Sequence, residues 1–343
     1  MTRDKSFLFS WVLLVVGTIF FFLLDLSLGS VNIPFSQTFA VLTGQEIEND
    51  AWQQIILLFR LPRILTALAV GAGLSVSGLL MQTLFRNPLA GPYVLGISSG
   101  ASLGVALLVL AGSMIPIGFL VSKVSILLAA GLGAASILFV VIILSRNIVD
   151  STTLLILGLM FGSISGAIVS VLQFYSQAEQ LQSYMVWTFG SLGNVRWADM
   201  PLFLTMVISG LILAFILHKP LNAFILGEKQ ASSIGVNIRK TRIIILIATS
   251  ILAGSITAYC GPIAFVGLAV PHLTRVFFAT SNHRILVPAV ALSGSMLMIL
   301  CDFIAQLPGS AHVLPINAVT AMIGGPVVIW VIVRNKNIGR SFA

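Results

Sequence analysis

Arg60 and Arg63 stand three residues apart at the head of an apolar run, where a helix would carry both on one face. Two guanidiniums so placed can grip the carboxylates of an acidic partner, or they can anchor a helix end at a membrane interface. Asp25 and Asp302 are acidic residues set within apolar runs. Such a carboxylate suits either proton or ion coupling or an interhelical hydrogen bond, and Asp302 reads first as the hydrogen-bond partner. Cys260 and Cys301 lie in apolar runs without metal-ligand spacing and read as small buried hydrophobes. The sequence holds no G-x-x-x-x-G-K-[ST] phosphate loop, no H-E-x-x-H, no G-x-S-x-G and no Cys/His cluster. Nothing here assembles a catalytic constellation, so a multi-span membrane enzyme is the weakest reading. Energy for vectorial work would come from a gradient or from a separate ATPase.

These residues sit in a chain with too little polar surface for water. Of 343 residues, 58% are hydrophobic and 8% charged, with a mean hydropathy of +1.07; a soluble domain carries about 25% charged residues. The expectation is an all-α, polytopic membrane protein forming a single domain over 1–343. A membrane crossing takes about 20 apolar residues. The runs between charges, Pro and Gly give ten segments, at about 7–28, 61–84, 93–111, 120–144, 153–175, 199–217, 241–260, 263–276, 285–305 and 313–333. The first follows Arg3 and Lys5 without a small-x-small cleavage site, and reads as a retained span. The eighth is short, with Gly261-Pro262 before it and Pro271-His272 inside it, and is expected to be tilted or broken.

An even number of spans puts both termini on one side. With cytoplasmic termini, only Arg60, Arg63, Lys123 and Arg196 of the 18 lysines and arginines fall outside, a clear positive-inside bias. The net charge of +8 therefore follows membrane orientation and does not call for nucleic acid. One outer loop, 29–59, carries Glu46, Glu48 and Asp50. The long inner loop, 218–240, is expected to form short surface helices for a cytoplasmic partner, or to be a solvated linker. Small-residue stretches at 71–78 and 96–101 suit either close helix packing or a pathway wall. A weak internal symmetry relates the segment ending at Asn87-Pro88 to the one ending at Gly261-Pro262, with inverted-repeat character.

Longer strings extend the reading. RLPR (60–63), SGLLMQTLFRNPLAGPYVLGISSGA (77–101), WTFGSL (187–192), LNAFILGEKQASSIGVN (221–237), CGPIAFVGLAVPHLTR (260–275), HRILVP (283–288) and LPINAVTAMIGGPVVIW (314–330) follow one another along the chain. In order and spacing they resemble the FecCD-type permeases of type II ABC importers, which carry iron–siderophores, haem or cobalamin. The resemblance implies ten helices per copy and a pathway between two copies, either identical or paralogous. It implies two cytoplasmic ATPase subunits that hold ATP and Mg²⁺, with no cofactor on this chain. An extracytoplasmic binding protein would deliver a metal chelate, and the chain would lie in the bacterial cytoplasmic membrane. ATPase coupling falls on Leu221, Asn222, Leu226, Gly227, Glu228, Ala231 and Gly235. Binding-protein docking falls on Arg60 and Arg63, with Gln306 where the family has a third arginine. The gate falls on Ser151 and Thr152, and pathway candidates are Gln82, Asn87, Pro88, Ser98 and Gly100. Asn317 stands where a glycine is usual, and no glutamate precedes Leu314. A ferric siderophore is the leading substrate, haem or cobalamin the alternative, and a proton-coupled secondary transporter the rival of another class.

Overall fold

The computed structural model describes residues 2–29, 31–45, 47, 49–111, 122–145, 148, 151–306 and 313–334. Among these, every regular element is helical. In chain order they are α1 (Thr2–Ser27), α2 (Phe35–Leu42), α3 (Asp50–Gln54), α4 (Leu61–Leu84), α5 (Ile97–Val109), α6 (Lys123–Ser145), α7 (Ser151–Tyr175), α8 (Ala178–Thr188), α9 (Met200–Ile216), α10 (His218–Ile225), α11 (Glu228–Ser233), α12 (Ile238–Cys260), α13 (Val266–Phe278), α14 (His283–Gln306) and α15 (Ile316–Arg334).

Each of the ten apolar segments holds a helix, but not each helix is long enough to cross a membrane. Among the described residues, six reach that length and apolarity, and α9 with α10, bent by 54°, would make a seventh. The chain is an all-helical, multi-pass membrane protein, with fewer full-length candidate spans than the ten segments expected. The shortfall has local causes. A helix of 13 residues, the length of α5 and of α13, rises only about 20 Å against a hydrocarbon core of about 30 Å. Ahead of α5, Pro92–Leu95 forms a 3₁₀ turn closed by Gly96 in the left-handed region. Ahead of α13, Phe265 also has a positive φ. Irregular backbone at membrane depth must be covered by protein, and here the two irregular stretches cover each other. Tyr93 donates its hydroxyl hydrogen to the Ile263 carbonyl at 2.5 Å, and its oxygen accepts the Ile263 amide at 3.3 Å.

The second span also differs from its expected start. Helix runs continuously from Asp50 to Leu84, and its turn at 55–60 is widened so that the Leu61 amide bonds the Ile56 carbonyl. Pro62 supplies the reason, since its ring has no N–H and crowds the carbonyl four residues earlier. Arg60 and Arg63 therefore sit within a helix and not at its mouth. The loop expected at 29–59 also holds α2, and α8 follows α7; neither was expected.

Helix α4 is the buried centre, while α1, α6 and α7 turn apolar side chains outward. Its main neighbour is α14, antiparallel to it. Midway along the pair, a Cβ added to Gly71 would lie 2.2 Å from the Gly294 carbonyl oxygen, closer than any side chain can come. Nearby, the Ser295 hydroxyl donates to the Leu68 carbonyl at 2.8 Å. The 71–78 stretch is thus a packing surface in this chain, as small-residue stripes in membranes often are. Gly100 plays the same part against Gly133, between α5 and α6.

Candidate functional site

Polar side chains gather at both ends of the α4–α14 pair. At one end, Arg63 grips Asp302 bidentately, with Nε 2.9 Å from Oδ2 and Nη2 2.7 Å from Oδ1. Gln306, one turn further along α14, donates its amide to Asp302 at 3.1 Å and to Asp25 of α1 at 3.1 Å. Both carboxyl groups are fully buried. A buried charge needs a paired counter-charge, which Arg63 supplies to Asp302, whereas Asp25 meets the neutral Gln306 amide and its Oδ2 has no hydrogen bond among the described residues. Arg60 is buried beside them and donates to the backbone carbonyls of Leu26 and Val31.

The three residues expected to dock a binding protein are therefore brought together, but they face inward to a large degree. Arg60 holds the chain that leaves α1. Arg63 keeps 19% of its side chain exposed, so a contact with an acidic partner falls to it alone of the two arginines. Gln306 supplies a neutral amide between two carboxylates where the resemblance led one to expect an arginine. Asp302 is an interhelical partner, and Asp25 joins the same cluster.

At the other end, Thr83 of α4 faces His283, the first residue of α14, with Oγ1 2.9 Å from Nε2. The other ring nitrogen lies 2.8 Å from Asn222 Oδ1, which also accepts the His283 backbone amide at 2.8 Å. Asn222 belongs to α10, and its amide donates to Asn282 at 3.0 Å. The loop expected at 218–240 is indeed two short helices, α10 and α11, joined through Gly227 at φ 109°. A positive φ there needs glycine, because a Cβ would be strained.

Glu228 follows that turn and takes a hydrogen bond from Arg242 Nη2 at 2.8 Å. Leu221 and Ala231 were expected on the face that meets an ATPase, yet both are fully buried within the chain. Helix α10 is strongly amphipathic, and Leu221 and Phe224 form its inward side. These residues anchor the segment to the rest of the chain. Leu226 at 61% and Ile234 at 65% are the segment's exposed large apolar side chains. Gly235, at φ 88°, follows α11 with open space where a Cβ would lie.

The remaining candidates are dispersed. Ser98 lines a cleft of about 230 Å³ with Ser99, Ser102, Gly166, Val169 and Tyr184. Gln82 is fully buried and donates to the Leu268 carbonyl at 3.1 Å. Asn87 caps its own turn by accepting the Leu89 amide at 2.9 Å, beside Pro88. Thr152 is exposed in the first turn of α7; the side chain of its neighbour Ser151 lies outside the described ones. Asn317 joins the start of α15 to the stretch before α13 by accepting the Ala264 amide at 3.0 Å. Thr83, His283 and Arg242 were not singled out by the sequence. A histidine and an arginine at the starts of apolar helices read as interfacial, and only their burial marks them.

Comparison with known proteins adds a second line of observation. A family model described as the FecCD transport family matches residues 17–334. The hemin transport system permease protein HmuU of Yersinia pestis is 36% identical over 325 residues, covering 94% of this chain and 96% of that one. The vitamin B12 import system permease protein BtuC of Klebsiella pneumoniae is 35% identical over 337 residues, covering 98% and 96%. A solved structure of an inward-facing, metal-chelate type ABC transporter superposes with a TM-score of 0.82 at 30% identity, covering 96% of this chain and 99% of that one.

Proposed function

The chain belongs to the FecCD transport family and is a permease subunit of a type II ABC importer; we propose that it carries a metal chelate, a ferric siderophore first, inward across the bacterial cytoplasmic membrane. The observation that carries the coupling part of this reading is the α10–α11 segment. It presents exposed Leu226 and Ile234 on a frame anchored from beneath by Leu221 and Ala231. Exposed apolar side chains on a short polar segment suit a docking protein, and an ATPase subunit is the partner this family would place there. The segment lies cytoplasmic, both termini with it, and ten crossings follow if the short helices α5, α13 and α15 complete their spans with the irregular stretches beside them.

Arg63 and its surroundings lie at the opposite, outer end, where a binding protein would present acidic residues. Two copies of the chain, or one with a paralogue, would enclose the pathway, and the ATPase subunits would bring ATP and Mg²⁺. Among the described residues, no group of three or more His, Cys, Asp or Glu could hold a metal ion. A metal cargo would therefore travel inside its own chelator, released by conformational change. Haem and cobalamin form the second reading, favoured by the names of the relatives above.

The test is reconstitution in liposomes with the partner ATPase and binding protein. ATP-dependent uptake of a ferric siderophore, compared with haem and cobalamin, identifies the cargo. Uptake driven by a pH gradient without the ATPase would make the chain a secondary transporter and defeat the proposal.

A further inference from the structure

Arg242 lies in the second turn of α12, where a buried cation needs a paired partner. It is 5% exposed. Its guanidinium bridges two segments of the chain. Nη2 donates to Glu228 Oε1 of α11 at 2.8 Å, and Nη1 donates to the carbonyl of Ile148 at 2.7 Å. Glu228 sits at the turn between the two short helices proposed to meet the ATPase. Ile148 lies three residues ahead of Ser151, where α7 begins with the two residues proposed as the gate. A guanidinium is planar and rigid, so its two Nη groups hold their acceptors at a nearly fixed separation. The base of this fork is steady, because Asn237 caps the helix by accepting the Lys240 amide at 2.9 Å.

We infer that Arg242 is the positioning residue that transmits displacement of the α10–α11 segment to the start of α7. The inference rests on the importer reading and deepens it. When the ATPase moves α11, Glu228 moves with it, and the guanidinium conveys that shift to the Ile148 carbonyl. A lysine keeps the charge but offers one ammonium point, which cannot hold both acceptors in a fixed geometry. Glu228 keeps 27% of its side chain exposed, so its carboxylate can be neutralised without leaving a buried cavity.

The experiment uses the complete complex of permease, ATPase and binding protein in liposomes, with ATP hydrolysis and substrate uptake measured together. For R242K, co-purification of the ATPase and the melting temperature are expected to match the wild type, while uptake per ATP falls about tenfold, a typical size for a coupling free energy. A purely structural role would lower stability and leave that ratio unchanged. An R242K complex with the wild-type ratio overturns the inference. Should R242K fail to assemble, E228Q decides in its place: a fall in the ratio supports the relay, and a wild-type ratio overturns it. A wild-type complex that hydrolyses ATP without any uptake defeats the importer reading itself, a result distinct from either variant's.

Discussion

The two ends of the α4–α14 pair are joined by different chemistry. At one end, Arg63 and Asp302 form a buried ion pair, with Gln306 and Asp25 completing the cluster. At the other, Thr83, His283 and Asn222 meet through hydrogen bonds between uncharged and imidazole groups. Removing one member of a buried ion pair costs about 3–5 kcal/mol, whereas side-chain hydrogen bonds between membrane helices average about 0.6 kcal/mol. The ionic end is the fixed joint. A partner acting on α10 and α11 meets less resistance at the Thr83 end, where Asn222 binds that segment to α14. The difference places rigidity and response at opposite ends of one helix pair, about 30 Å apart for the 20-residue separation of Arg63 and Thr83.

The largest effect expected is from Arg63→Met, which leaves Asp302 with an uncompensated charge and should lower unfolding free energy by about 3–5 kcal/mol. Thermal unfolding in detergent measures it. Adding Asp302→Leu should recover much of the loss, and a silent single variant would remove the fixed joint. At the other end, Thr83→Val deprives His283 of one partner, and a loss of about 1 kcal/mol is expected in the same assay. A loss as large as that of Arg63→Met would erase the contrast between the two ends. The smallest effect belongs to Lys123→Gln. Its bridge to Asp199, 2.5 Å long, joins the start of α6 to the N-cap residue of α9, with both side chains at least a third exposed. Such pairs contribute about 0–1 kcal/mol and weaken with salt, so the variant should match the wild type in 0.5 M salt, about the regime where screening is strong.

Much of this architecture was legible in composition. Apolar runs located every long helix, because burial in lipid demands about 20 such residues together. The polar interval at 218–240 announced its short helices. What could not be read were relations across sequence distance and along the backbone. Arg63 and Asp302 were each visible as unusual, but their pairing spans 239 positions. Arg60 looked like a free outer arginine since its acceptors are carbonyls, which every residue carries. Leu221 and Ala231 were assigned as contact residues by the family resemblance alone, although the amphipathic pattern of α10 already puts Leu221 on its inward side. The widened turn at 55–60 had a visible cause in Pro62, and the apolar run alone concealed it. His283 and Arg242 stayed hidden for the opposite reason: polar residues at helix starts are ordinary until burial makes them costly.

The contrast between the two ends is tested most directly by distances between spin labels in the complete complex, with and without ATP and Mg²⁺. One pair, at Arg86 and Arg284, flanks the Thr83 end on exposed positions; the other, at Phe59 and Leu314, flanks the Arg63 end. ATP is expected to change the first distance by about 2 Å or more, the scale of helix shifts in switching proteins, and to leave the second unchanged. A second distance that moves as far as the first would contradict a fixed ionic joint and a yielding neutral one.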